Sequence, residues 1–141
     1  MRANPIRITL LAATASLALV GLFVQTANAD EGPFGVIRLA ANRSQYSGGG
    51  CPIEIIYTAN INFVSPLPKG FVFNYHWERS DGAKGPVQVV RPSPNQRMSV
   101  VREKWRLGAP GKHYDASVTL FVNSGNTHLT QSSSQVSVTC R

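Results

Sequence analysis

The sequence predicts an all-β protein, a seven-stranded antiparallel sandwich of two sheets held by one disulfide. Three observations carry this expectation. No stretch of 30–141 repeats apolar residues at helical spacing. Segments alternating apolar and polar residues are separated by Gly, Pro, Asn and Ser clusters. Two cysteines, Cys51 and Cys140, stand at opposite ends of most of the strand-rich region.

Residues 1–29 read as a cleaved signal peptide rather than part of the fold. Arg2 and Arg7 form a charged beginning, 8–24 is apolar with small residues, and Ala27-Asn28-Ala29 gives the small-x-small cleavage pattern. The apolar run is long enough for a membrane anchor by length alone. Thr9, Thr14, Ser16 and Gly21 within it, together with the cleavage pattern, favour the signal. Residues 30–141 then form one domain, with no second long apolar run and so no transmembrane segment in the mature chain. The expected location is secreted or periplasmic.

Strand A is expected over about Phe34 to Asn42, ended by the breaker Ser47-Gly48-Gly49-Gly50. In strand B, Ile53, Ile55, Tyr57, Ala59, Ile61 and Phe63 share one face, opposite Glu54, Thr58, Asn60 and Asn62, with Ile56 off pattern. The prolines of "SPLPKG" (Ser65 to Gly70) end it, because proline cannot sit in a central ladder. Strand C sets Phe71, Phe73, Tyr75 and Trp77 inward against Asn74, His76 and Glu78 outward, and turns at Ser80-Asp81-Gly82. "PVQVV" (Pro86 to Val90) is a short strand, broken by "RPSPNQ" (Arg91 to Gln96).

Strand E spans about Met98 to Leu107. Its phase sends Glu103 inward with Val101, Trp105 and Leu107, which calls for a bulge between Val100 and Glu103. In strand F, Tyr114, Ala116, Val118, Leu120 and Val122 face inward, and "NSGN" (Asn123 to Asn126) makes a hairpin turn. Strand G runs from Thr127 to Cys140, with a bulge or fraying at Ser132-Ser133-Ser134. Seven strands in about 110 residues have the size and rhythm of an immunoglobulin-type sandwich.

An exported chain keeps its disulfides, so Cys51 and Cys140 are expected to pair. The bridge closes a loop of about 90 residues, worth about 4–5 kcal/mol in the chain-entropy account. A zinc site is disfavoured, since structural zinc wants four closely spaced ligands. Cys51 just before B and Cys140 closing G would join the two sheets at one pole, unlike the central B–F bridge of antibody domains.

The segments "CPIEIIYTANI", "FNYHWERSDG", "VVREKWRLG", "HYDASVTLFV" and "VTC" resemble immunoglobulin-like domains of secreted bacterial proteins, over about Cys51 to Arg141. The resemblance implies an immunoglobulin-like sandwich. It implies no particular chemistry, because that architecture hosts many unrelated binding functions.

The chain carries 14 Lys+Arg against 7 Asp+Glu, and loss of Arg2 and Arg7 leaves 12 against 7. Such a surface favours anionic partners, either envelope polymers or acidic proteins. Arg102, Lys104 and Arg106 alternate on strand E and form the candidate anion-binding surface, with Arg38 on the same face and Glu54 available as a counter-charge. The ordinary reading is a charged outward face that keeps an exposed sheet soluble.

No G-x-S-x-G elbow or H-E-x-x-H helix occurs, no cofactor motif is found, and no enzyme activity is expected. The alternative is a metal-binding or hydrolytic site at His76, Glu78, His113 and Asp115 on strands C and F; the ordinary reading is cross-strand polar pairing. His128 lies toward the other pole. A nucleic-acid partner is not expected, because the aromatics share phase with the aliphatic core rather than with the arginines. The same phase disfavours a carbohydrate platform; only Tyr46 and Phe121 are placed outward. Finally, Thr127 to Gln135 is expected at a sheet edge, uncharged and free of proline, where a partner strand could add.

Overall fold

Alternation of period two sets the longest ladder. A computed structural model of the protein describes residues 32–64 and 66–141; the expected signal peptide, 1–29, lies outside the described residues. Ten strand segments are present among them, and no helix. β3 (Ile53–Phe63) buries Ile55, Tyr57, Ala59 and Ile61 and turns Glu54, Ile56, Thr58 and Asn60 the other way. β6 (Met98–Leu107) lies antiparallel to it, in unbroken register from Ile53↔Leu107 to Asn62↔Met98. β1 (Phe34–Ala41) flanks the other side of β3, with one irregularity between Phe34 and Ile37. The sheet order is therefore β1-β3-β6.

The remaining strands make two further hydrogen-bonded groups. One is β2 (Gln45–Gly48), β10 (Val136–Cys140) and β7 (His113–Ala116), in the order β2-β10-β7. The other is β5 (Gln88–Val90), β4 (Phe73–Arg79), β8 (Val118–Ser124) and β9 (Thr127–Ser132), in the order β5-β4-β8-β9. All pairings are antiparallel except β2 with β10, which run parallel.

Seven strands become ten segments for local reasons. The first strand continues beyond Asn42, whose side-chain oxygen accepts from Ile56 N at 3.0 Å and closes β1. The chain then crosses to the second group as β2, so Ser47 and Gly48 belong to a strand rather than to a breaker. A parallel backbone ladder needs no side chain, and Ser137 N→Ser44 O and Arg141 N→Gly48 O fix both ends of it. Strand F divides at Ser117 and strand G at 133–135, where hydroxyls replace ladder partners. Ser133 bonds Val118 through both its backbone N (2.9 Å) and its Oγ (3.1 Å), and Ser80 Oγ accepts from Ser117 N at 3.1 Å. The interruption expected at the serine run is thus present.

The buried faces share one core. Phe34 and Phe63 from the first sheet meet Phe73 from the third at centroid distances of 5.7 and 5.8 Å, mostly edge-on or tilted. Such pairs add about 0.5–1.5 kcal/mol each beyond area burial. Tyr57 Oη donates to Ala116 O across the layers at 3.3 Å, and burial pushes its hydroxyl pKa up. Phe73, Tyr75 and Trp77 are all buried, so the alternating aromatics of "FNYHWERSDG" are core and offer no stacking platform. Cys51 and Cys140 form the expected disulfide, joining the lead-in of β3 to the last residue of β10. Gly108, at φ +109°, passes so close that a Cβ there would overlap Cys140 Sγ.

Candidate functional site

The expected bulge in strand E is absent, and β6 alternates without interruption. Glu103 does face inward, and its charge is met from another strand. Arg79, the last residue of β4, donates from Nε and Nη2 to Glu103 Oε1 at 2.9 and 2.6 Å. Its guanidinium also lies over the Trp105 ring at 5.2 Å and donates from Nη2 to Lys104 O at 3.1 Å. A half-buried carboxylate costs several kcal/mol if unpaired, so this contact is what permits Glu103 at a core-facing position. Sequence reasoning passed over it; the signal was Arg79 itself, a cation directly following the inward Trp77 phase at the strand end.

With Glu103 held inside, the other parity of β6 is free to face outward. Met98, Val100, Arg102, Lys104 and Arg106 are all exposed on one side of the strand. Register aligns Val100 with Asn60 and Arg38, Arg102 with Thr58 and Ala40, Lys104 with Ile56, and Arg106 with Glu54. Arg38 therefore shares the face with the three strand-E cations, as the sequence suggests. Among the described residues the one carboxylate on this face is Glu54, with its Oε1 4.0 Å from Lys104 Nζ. At that distance, and between exposed groups, the pair offsets little of the positive potential. The opposite end of the face is apolar, with Met98 43 %, Val100 44 % and Val36 65 % exposed.

The four polar residues expected to gather on strands C and F separate into two pairs. His76 Nε2 lies 3.4 Å from Glu78 Oε1 on β4, and Lys84 Nζ reaches the same oxygen at 2.7 Å. The Lys84 hydrogen bond, assisted by His76 against some desolvation, holds the Glu78 carboxyl below its ordinary range. His113 and Asp115 pair at 3.3 Å on β7, and His113 Nδ1 stands 2.9 Å from Thr139 Oγ1. Glu78 aligns with Thr119 in the β5-β4-β8-β9 group, whereas Asp115 lies beyond the division at Ser117, in the β2-β10-β7 group. Among the described residues no group of three or more His, Cys, Asp and Glu comes close enough to hold a metal ion. His128 is on β9, 2.7 Å from Asn123 Oδ1, and aligns through Asn123 with Asn74 rather than with His76 or Glu78.

Of the two aromatics expected outward, Phe121 is outward, whereas Tyr46 aligns with the buried Val138 and packs half-buried against the core. Phe121 stacks on His76 at 4.8 Å and 4°. Tyr46 lies in β2, donates its hydroxyl to Gly49 O, and has Arg43 above its ring at 5.9 Å. β9 ends its sheet, so the Thr127–Ser132 part of the segment expected at an edge is at one. A shallow cleft of about 440 Å³ lies between the end of β6 and β7, lined by Trp105, Arg106, Gly108, Tyr114, Asp81 and Asp115 among others. No protein-family model matches the sequence, and no curated protein is significantly similar to it. The basic outer face of β6 is the most coherent polar feature of the described surface.

Proposed function

We propose that the protein is an exported, non-enzymatic binding module with an immunoglobulin-like sandwich, presenting the outer face of β6 to an anionic partner of the cell envelope. The observation that carries this reading is the row Arg102, Lys104 and Arg106, exposed on one strand face with Arg38 beside it and Glu54 as its weak counter-charge. Three cations at alternate positions of one strand repeat at about 6.6 Å, a spacing suited to a carboxylate- or phosphate-bearing chain. The surrounding field steers such a partner toward the face.

Two features support the immunoglobulin-like assignment. The first strand divides between sheets, β1 on β3 and β2 parallel to β10, and a disulfide ties the lead-in of β3 to the end of β10. Export is supported by the paired cysteines and by the signal-like 1–29 sequence. Among the described residues no helix is long and apolar enough to cross a membrane.

The test is retention of envelope material from the source organism on the immobilised protein. Retention should fall as salt rises, because exposed charges are screened beyond about 8–10 Å at 0.1–0.15 M. It should also fall in the Arg102→Gln/Lys104→Gln/Arg106→Gln variant. Equal retention by that variant overturns the reading.

A further inference from the structure

β6 is the last strand of its sheet, and the side of it away from β3 is open. The direction of its backbone groups follows from one bond. Phe63 N donates to Arg97 O at 2.8 Å, so in this antiparallel ladder the odd-numbered residues of β6 direct N–H and C=O toward β3. The even-numbered ones, Met98 to Arg106, direct theirs outward. Two of those outward carbonyls are covered by side chains: Met98 O accepts from Gln96 Nε2 at 2.8 Å and Lys104 O from Arg79 Nη2 at 3.1 Å. Between these covers the N–H and C=O groups of Val100 and Arg102 face the open edge, and no strand lies beyond them among the described residues.

Sheet edges are ordinarily guarded by a bulge, a proline, an inward charge or outward cations. β6 has neither bulge nor proline, and its inward charge is neutralised by Arg79. Its remaining guard is the row of cations, which repels a like-charged strand and attracts an acidic one. Pairing with a second copy would bring two sets of Arg102, Lys104 and Arg106 close to one seam, between chains that each keep 12 Lys+Arg against 7 Asp+Glu after loss of Arg2 and Arg7. Self-pairing about Val100 and Arg102 sets Arg102 opposite Val100 and Lys104 opposite Met98, whereas an acidic strand sets a carboxylate opposite each cation. Charge therefore selects a foreign, acidic strand over self-pairing.

We propose that the Val100–Arg102 edge of β6 accepts an extended acidic segment of a partner protein as an added antiparallel strand. This rests on the anionic-partner reading above and names the partner's form. Residues opposite one another share a sheet face, so an antiparallel partner meets Arg106, Lys104, Arg102, Val100 and Met98 with alternate residues in that order. Its recognition pattern is acidic-x-acidic-x-acidic-x-apolar-x-apolar. The backbone of Val100 and Arg102 gives affinity, and the exposed side chains read the sequence.

The probe is the capped peptide Glu-Thr-Glu-Thr-Glu-Thr-Val-Thr-Val, titrated into the purified protein and followed by amide NMR and hydrogen exchange. The expected result is binding with shifted and newly protected amides at Val100 and Arg102. N-methylation of the two peptide amides that face those residues leaves every charge in place and should weaken binding about fivefold or more, since each lost hydrogen bond is worth about 0.5–1.5 kcal/mol. Poly-glutamate serves as the strandless polyanion. If poly-glutamate binds but the peptide does not, or the N-methylated peptide binds equally well, strand addition is overturned and the anionic face stands. If neither binds, both readings fall. Protection of Val100 and Arg102 in the protein alone, together with a dimer in sedimentation, overturns the inference in favour of a second copy.

Discussion

Replacing Arg79 by Met removes the partner of an inward carboxylate while keeping an apolar stem of similar length. Side chains of Arg79 and Glu103 are 29 % and 18 % exposed, between the surface and the buried limits. Exposed pairs contribute about 0–1 kcal/mol, whereas removing one member of a buried pair costs about 3–5 kcal/mol. An intermediate site gives about 2 kcal/mol. Loss of the guanidinium from the Trp105 face and from Lys104 O adds about 1 kcal/mol. The expected cost is about 3 kcal/mol, which lowers Tm by roughly 10–15 °C for a domain near 110 residues. The assay is chemical denaturation of wild type, Arg79→Met, Glu103→Leu and the double variant. The double variant should recover at least half of the Arg79→Met loss, because no orphaned charge then remains. A single variant within about 0.5 kcal/mol of wild type, or a double variant whose losses simply add, would refute the pairing account; 0.5 kcal/mol is the usual limit of additivity for independent sites.

Three further outcomes are expected. Gly108→Ala combines a left-handed φ with an overlap on Cys140 Sγ, so it should destabilise by well over about 1 kcal/mol; unchanged denaturation would contradict the close approach. Cys51→Ala/Cys140→Ala opens a loop with sequence separation 89 and should lose about 4–5 kcal/mol, while the parent's non-reduced mass should be two hydrogens below its reduced mass. The Glu78 carboxyl should titrate below the ordinary glutamate range by NMR and rise toward it in Lys84→Ala. Because its folded pKa is depressed, its stabilising contribution is present above the unfolded value and is lost as pH falls through the folded one. An unchanged midpoint in Lys84→Ala would remove the assigned cause.

The parts of the fold legible in the sequence are those whose information is local. β3 and β6 appear at Ile53–Phe63 and Met98–Leu107 because their alternation is nearly complete and turn residues bound them. Cys51 and Cys140 were legible by elimination, as the one pair available. What failed depended on partners distant in sequence. Glu103 looked like a defect needing a bulge because Arg79, 24 residues earlier, belongs to another sheet. Gln45–Gly48 looked like a loop because its strand character comes from the parallel ladder with 137–140, not from its side chains. Strand F breaks where Ser117 takes a hydroxyl contact from Ser80 that no spacing rule encodes, whereas the interruption of strand G at Ser133 was legible in the serine run itself.

The candidate site follows the same division. Outward placement of Arg102, Lys104 and Arg106 follows from parity, and their sharing a face with Arg38 follows from β1 and β6 flanking β3. The open edge beside them was not legible. It depends on which parity of β6 bonds to β3 and on Gln96 and Arg79 covering two carbonyls. His76, Glu78, His113 and Asp115 share the outward phase of neighbouring strands. Because strand F divides at Ser117, β4 and β7 belong to different hydrogen-bonded groups, and the two pairs stay separate.

The central claim is that the outer face of β6 is where this protein meets its partner. Amide NMR of the purified protein with poly-glutamate, titrated at low and physiological salt, tests it most directly. The account predicts shifts concentrated at 98–106 and around Arg38, weakening as salt rises. Shifts centred instead on His76 and Glu78, or on Tyr46 and Thr139 of the β2–β10 face, would contradict it.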